Sequence, residues 1–237
     1  MIVSHRHRFI FVRTRKTAGT SVEIALSKFC GPHDIITRDA DDALRHELGY
    51  PGPQNDGGIP LSAYTFSEWR RLLTRRERAR FKNHTEASRI RSLVGDHVWR
   101  SYYKFAIERN PWDKAISLYY WRTRDQQPRP PLLQFLQSVG ARSLSNAHIY
   151  MIDGALGVDR IIAYENLSSE LEEIRQHLAL PEPVPLPRAK STHRTEKSHY
   201  SELIGEAERA VIDDTCRREI ELLGYQFHHA ARRSEVT

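Results

Sequence analysis

Apolar and polar positions fall in blocks along the chain, and the length and spacing of each block predict an element. Phe9 to Val12 is a short run of aromatic and branched residues ending at a polar turn, which predicts a buried strand. From Ser21, Val22, Ala25, Leu26 and Phe29 fall at helical spacing until Gly31-Pro32, predicting a helix that stops there. Trp69, Leu72 and Leu73 predict a helix over residues 66–80, and a further helix is expected from Ser88 to Val94. Tyr102 to Ile107 predicts a second strand. Pro111 then opens a helix reaching about Arg122, because a first-turn residue needs no N–H of its own. Ile161 to Tyr164 predicts a third strand, Ser168 to Leu178 a helix, and Glu206 to Leu223 a last helix ended by Gly224. Residues 49–60, 125–131 and 181–199 are rich in proline, glycine or polar groups and read as loops. Strands alternating with helices predict an α/β fold with a mostly parallel sheet.

Composition narrows the class without changing that picture. The 237 residues are 39% hydrophobic and 28% charged, which excludes wholesale disorder. No apolar run approaches the ~20 residues of a membrane span, and no signal-peptide core follows the basic start. A soluble, cytoplasmic protein is expected. Cys30 and Cys216 alone imply neither a disulfide framework nor a zinc cluster, so no metal is expected.

Charge changes the picture more. Lys and Arg number 36 against 30 Asp and Glu, a formal +6, and 29 of the basic residues are Arg, which suits fixed bidentate contacts to oxyanions. Residues 70–91 carry +7, with Arg70, Arg71, Arg75, Arg76, Arg78, Arg80, Lys82, Arg89 and Arg91 against Glu77 and Glu86; the rest of the chain sums to −1. The excess is a local property, not the diffuse basicity of a nucleic-acid binder. It is either a solvated helix face or a steering surface for an anionic substrate, which salt should weaken.

Three segments carry candidate chemistry. The first, Arg13-Thr14-Arg15-Lys16-Thr17-Ala18-Gly19-Thr20-Ser21, links a strand to a helix, where unsatisfied N–H groups and the helix dipole attract anions. Gly19 permits close approach, Thr17, Thr20 and Ser21 offer hydroxyls, and Lys16 can reach a phosphate-type oxygen. A plain strand-to-helix turn capped by threonines is the alternative. The G-x-x-x-x-G-K-S/T loop of nucleotide triphosphatases is absent, because Lys16 precedes Gly19 and no earlier glycine lies in the loop. In the second segment Arg109 follows a predicted strand and can fork onto a phosphate, with Ser117 two helical turns into the next helix. In the third, His84 lies in Lys82-Asn83-His84-Thr85-Glu86-Ala87, where a neutral imidazole can act as a base near neutral pH.

Lys16-Thr17-Ala18-Gly19-Thr20-Ser21 after a hydrophobic strand resembles the 5′-phosphosulfate loop of sulfotransferases that use 3′-phosphoadenosine-5′-phosphosulfate (PAPS). Lys104 to Tyr120, with Arg109-Asn110-Pro111 and a serine eight residues after the arginine, resembles the same family's 3′-phosphate motif. The His84-x-x-Ala87 spacing resembles the base element of its carbohydrate-type members. Tyr164-Glu165-Asn166-Leu167 and Gly224-Tyr225-Gln226-Phe227 are similar to its later motifs, so the resemblance spans residues 8–227.

The resemblance implies a single P-loop-kinase-like domain over residues 1–237, with a central parallel sheet flanked by helices. It implies sulfuryl transfer from PAPS to a hydroxylated acceptor, a carbohydrate, leaving adenosine 3′,5′-bisphosphate. Donor contacts would come from Arg13, Arg15, Lys16, Thr17, Ala18, Gly19, Thr20, Ser21, Arg109 and Ser117, with Lys190, Ser191 and Arg194 in a closing loop. Lys16 would stabilise the leaving group, and His84, or Glu86 as its rival, would be the base. No membrane span and no specific nucleic acid enter this scheme, and self-association is left open. Lack of an anchor separates the chain from Golgi members and points to a bacterial-type enzyme. Three departures stand out: Arg15 replaces a proline, Lys114 a more usual arginine, and Glu108 a usually apolar residue. The rival readings are a kinase of related fold, a non-catalytic polyanion or nucleic-acid binder, and a relative that binds the donor without turnover.

Overall fold

The computed structural model describes residues 1–39, 41–187 and 198–228. Along the chain run β1 (Ile2–Ser4), β2 (Phe9–Val12), α1 (Gly19–Ser27), β3 (Ile35–Ile36), α2 (Asp42–Glu47), α3 (Phe66–Arg75), α4 (Ala87–Ser101) and β4 (Tyr103–Glu108). There follow α5 (Pro111–Arg122), α6 (Leu132–Ser138), α7 (Ala141–Leu144), α8 (Ala147–Tyr150), the hairpin β5 (Met151–Ile152) and β6 (Ala155–Leu156), and β7 (Arg160–Ala163). The last elements are α9 (Leu167–His177), α10 (Tyr200–Leu203), α11 (Glu206–Thr215) and α12 (Arg217–Leu223). These group into two compact units, Met1–Glu108 with His148–Ala189 and Arg109–Ala147 with Lys190–Thr237.

The first unit is built on a five-stranded sheet of order β3-β1-β2-β4-β7. β2, β4 and β7 are parallel, with Phe11 opposite Phe105 and Ala106 opposite Ile161. The sheet is mostly parallel at its centre, as expected, and mixed at one edge. β1 is antiparallel to both β2 and β3, so Ile2 faces Phe11 on one side and Ile36 on the other. Three apolar residues ahead of His5-Arg6-His7-Arg8 are too short a block to announce a strand, yet Met1, Ile2 and Val3 are fully buried by the pairing. One core gathers Phe9, Phe11, Phe105, Ile107 and Ile162 from the sheet, Val22 and Leu26 from α1, and Leu171 and Ile174 from α9. The result is a central mixed sheet carrying helices.

The second unit packs α5, α6 and α11 around Trp112, Ile116, Phe135, Leu136 and Ile212. Lys114 is buried within it, its Nζ 3.5 Å from Glu219 Oε1, and Glu219 also accepts from the Asn146 N–H at 2.7 Å.

Several predicted boundaries move. The helix expected to Arg80 stops at Arg75, because Arg76 turns left-handed (φ 53°) and closes onto the Leu72 carbonyl. Beyond it the chain straightens to bury Ala79 and Phe81, whose N–H groups bond Tyr64 Oη and the Asp56 carbonyl. The helix expected to end at Val94 breaks there, at Gly95 (φ 83°), and a second helical stretch continues α4 to Ser101. The single helix expected over 206–223 breaks at Cys216 into α11 and α12.

Candidate active site

The loop between β2 and α1 is tied to the sheet before it reaches the helix. Thr14 Oγ1 donates to the Ile107 carbonyl of β4 and lies 2.8 Å from the Thr17 hydroxyl, so both threonines serve the loop itself. Backbone φ changes sign at every step, from Lys16 (61°) through Thr17 to Ala18 (58°). Such alternation is the backbone pattern of anion-binding nests, in which successive N–H groups turn to one side. Two non-glycine residues in the left-handed region cost of order 1 kcal/mol each, strain of the kind that concentrates at functional sites. The loop leads straight into the start of α1, which no side chain caps. Its first N–H groups therefore face the loop unsatisfied by any cap, at the positive end of the helix dipole. Ser21 is nearly buried beside it.

Gly19 is required by what lies over it. A Cβ there would come 2.8 Å from Arg13 Cγ and 3.0 Å from Arg13 Nε. Arg13 is held in place by Thr20 Oγ1 at 2.6 Å, by Glu23 Oε2 at 2.8 Å, and by Asp39. Glu23 is fully buried and also pairs with the Met1 ammonium and Arg45, each at 2.8 Å. Burial works against its charge, but the Met1 ammonium, Arg13 and Arg45 outweigh it and hold the carboxyl below its ordinary range. The Arg13 guanidinium thus engages internal carboxylates and stiffens the loop from behind.

His84 meets the same loop. Its Nδ1 lies 3.1 Å from the Arg13 carbonyl. A carbonyl only accepts, so Nδ1 carries the hydrogen and Nε2 keeps its lone pair. Burial, with the Arg13 and Arg15 charges adding to it, lowers the His84 pKa to about 4, against an opposing pull from the Arg13 carbonyl. The imidazole is neutral at physiological pH. Its neighbour Asn83 is bound by the Thr37 hydroxyl at 2.7 Å and donates to Asp39 at 3.2 Å. Asp39 therefore touches both Arg13 and Asn83, bracing the two segments that set the ring.

The other predicted residues are distributed as follows. Lys16 is half-buried at the loop's apex, and Arg15 Nη1 reaches His148 Nε2 at 3.1 Å. Glu86 takes the N-cap position of α4, half-buried. In the second unit, Arg109 places Nε at 2.8 Å and Nη2 at 2.5 Å from one oxygen of Asp113, and Asn110 Oδ1 caps α5 through the N–H groups of Trp112 and Asp113. Ser117 is half-buried one turn beyond Asp113, on the same helix face. Glu108, the unexpected acid before Arg109, is wholly buried at the end of β4. Lys190, Ser191 and Arg194 lie outside the described residues. Of the nine cations in the basic segment, Arg80 pairs with Asp56, Arg89 with Glu68 and Arg91 with Asp96. Among the described residues no group of three or more His, Cys, Asp or Glu side chains is placed to hold a metal ion.

Sequence reasoning missed Glu23, Asp39 and Asn83, which support the loop and His84, and Asp113, which orients Arg109. Only Asp113 had a local signal, its i,i+4 spacing from Arg109 at the start of a helix.

A model of the sulfotransferase family matches residues 1–226. The chain belongs to the sulfotransferase family. An uncharacterized protein of Archaeoglobus fulgidus is 31% identical to this family member over 97 residues, covering 39% of the present chain and 81% of that protein. No solved structure matches the chain. Family membership supports a transferase, for which the strained loop, the uncapped helix and the neutral His84 are the candidate site.

Proposed function

We propose that this sulfotransferase moves a sulfuryl group from PAPS to a hydroxyl of a carbohydrate by in-line displacement. The observation that carries the reading is the alternation of φ over Lys16, Thr17 and Ala18, opening onto the uncapped start of α1. This cradle suits a phosphosulfate because it offers several N–H donors and a lysine to one multiply charged group.

PAPS, when bound, supplies the sulfuryl group and a phosphate as leaving group. Lys16 and the N–H groups at the start of α1 stabilise the negative charge that grows on the departing oxygen, and Thr20 and Ser21 line the same helix end. Arg15 and Ala18 complete the loop, while Arg13 holds its shape. Arg109, preset by Asp113, and Ser117 are assigned to the 3′-phosphate on the likeness of their segment to the family motif. Lys190, Ser191 and Arg194 keep the same assignment by likeness alone. His84 accepts the acceptor's hydroxyl proton at Nε2 as attack proceeds, its ring held by the Arg13 carbonyl. Negative charge brought beside the ring opposes Arg13 and Arg15 and makes Nε2 more basic when it is needed. Glu86 remains the alternative base.

The test is incubation of the protein with sulfur-labelled PAPS and a panel of hydroxylated acceptors, alongside calorimetry with adenosine 3′,5′-bisphosphate. Label transfer to a sugar hydroxyl and tight binding of the bisphosphate are expected. Tight binding of ATP with magnesium, and none of the bisphosphate, would overturn the assignment in favour of a kinase.

A further inference from the structure

We propose that α3 and the basic segment after it form a docking surface for an anionic lipid bilayer. An amphipathic helix ordinarily turns its apolar face to the core. α3 buries none of its residues: Phe66 is 87% exposed and Leu73 77%, with Trp69 exposed beside them and Leu61 just ahead of the helix. Phe66 and Leu73 are seven residues apart and share one face, with Trp69 at its edge. Arg70, Arg75, Arg76 and Arg78 are exposed around this stripe. Apolar rings and a leucine flanked by cations on a surface helix match what lies flat in a membrane interface, where the apolar face enters the acyl boundary and guanidinium groups meet lipid phosphates.

A second feature points to the same partner. Beside α3 a cavity of about 130 Å³ is lined by Arg71, Arg78, Arg80 and Lys82, with Glu68 and Glu77. Glu68 is already paired with Arg89 and Arg80 with Asp56, so the rim keeps an excess of positive charge next to the apolar stripe. Its size accommodates a phosphate group. Charge also argues against a second copy of this chain as the occupant, since self-docking would oppose two arrays of arginine. No helix among the described residues is long and apolar enough to cross a membrane, so the contact proposed is with the surface of the bilayer. The surface belongs wholly to the first unit and does not rest on the sulfuryl-transfer reading.

The experiment is flotation of the full chain with vesicles of phosphatidylcholine alone and of phosphatidylcholine with phosphatidylglycerol, at low and high salt. Binding to the anionic vesicles at low salt, and little to the neutral ones, is expected. The Phe66→Ser/Leu73→Ser variant should lose it, and the Arg70→Gln/Arg75→Gln/Arg78→Gln variant should bind roughly a hundredfold more weakly. All these side chains are exposed, so both variants should keep the wild-type circular dichroism spectrum. As a readout independent of those variants, tryptophan emission should shift to the blue on anionic vesicles and do so less in Trp69→Phe. Failure to bind anionic vesicles, equal binding to neutral ones, or binding unchanged in both folded variants would overturn the proposal.

Discussion

α1 and α3 are both short helices with apolar residues at helical spacing, and they end in opposite environments. All nine residues of α1, including Glu23, are buried against the sheet, whereas α3 buries none. α1 follows a strand directly, through a loop pinned to β4, so its apolar side chains have a sheet to pack on. α3 follows a proline- and glycine-rich stretch and is held mainly through the Thr65 capping box, the Glu68–Arg89 pair and the Tyr64–Trp69 contact. Helical periodicity reports that one face is apolar; what covers that face depends on the rest of the chain.

That contrast can be broken at graded cost. The largest effect is expected from Glu23→Ala in α1, which leaves Arg13 and Arg45 buried without their shared carboxylate. Denaturant unfolding should show a loss of roughly 3–5 kcal/mol. Next comes Lys16→Ala, just ahead of α1, which should lower turnover by roughly 10²–10³ while leaving unfolding nearly unchanged. Near-normal turnover at saturating donor would remove Lys16 from the chemistry.

A pH effect should follow. Between about pH 6.5 and 4 the unfolded chain holds a proton on His84 that the folded protein does not. Stability should therefore fall as pH falls through that window, by up to roughly 3 kcal/mol, and His84→Gln should flatten this part of the profile. An unchanged profile in the variant would show that His84 is not held neutral by burial. The smallest effect belongs to α3: Leu73→Ser should change unfolding by no more than roughly 0.5 kcal/mol, because the side chain is already in water. A loss as large as that of a core leucine would mean that α3 is covered in solution.

Much of the fold was legible from short-range pattern. Phe9 to Val12 appears as the strand predicted, the helix opened by Pro111 ends at Arg122, and Gly224 closes the last helix with φ 65°. β1 was not legible, since its three apolar residues become a strand only by pairing with β2 and β3. The stop at Arg76 was equally hidden, because it depends on Tyr64 and Asp56 collecting the N–H groups of Ala79 and Phe81. Among the candidate residues, those with chemical handles, Lys16, Gly19, His84 and Arg109, stood out by type and order. Their supports did not: Glu23 sits in an apolar helical pattern, and Asp39 and Asn83 find each other across 44 positions of sequence.

Residue order alone established the strand–loop–helix unit, the likeness to sulfotransferases and the concentration of charge in residues 70–91, because each is carried by neighbours within a few turns of chain. Folding had to settle the rest. Which nitrogen of His84 bears the proton is set by the Arg13 carbonyl, 71 residues away. Whether an arginine guards a loop from behind, as Arg13 does, or stands in water, as Arg75 does, follows from which carboxylates the fold buries beside it. The reason is physical: local pattern decides the conformation of a segment, while solvation, protonation and pairing depend on groups that only the packed chain brings into contact.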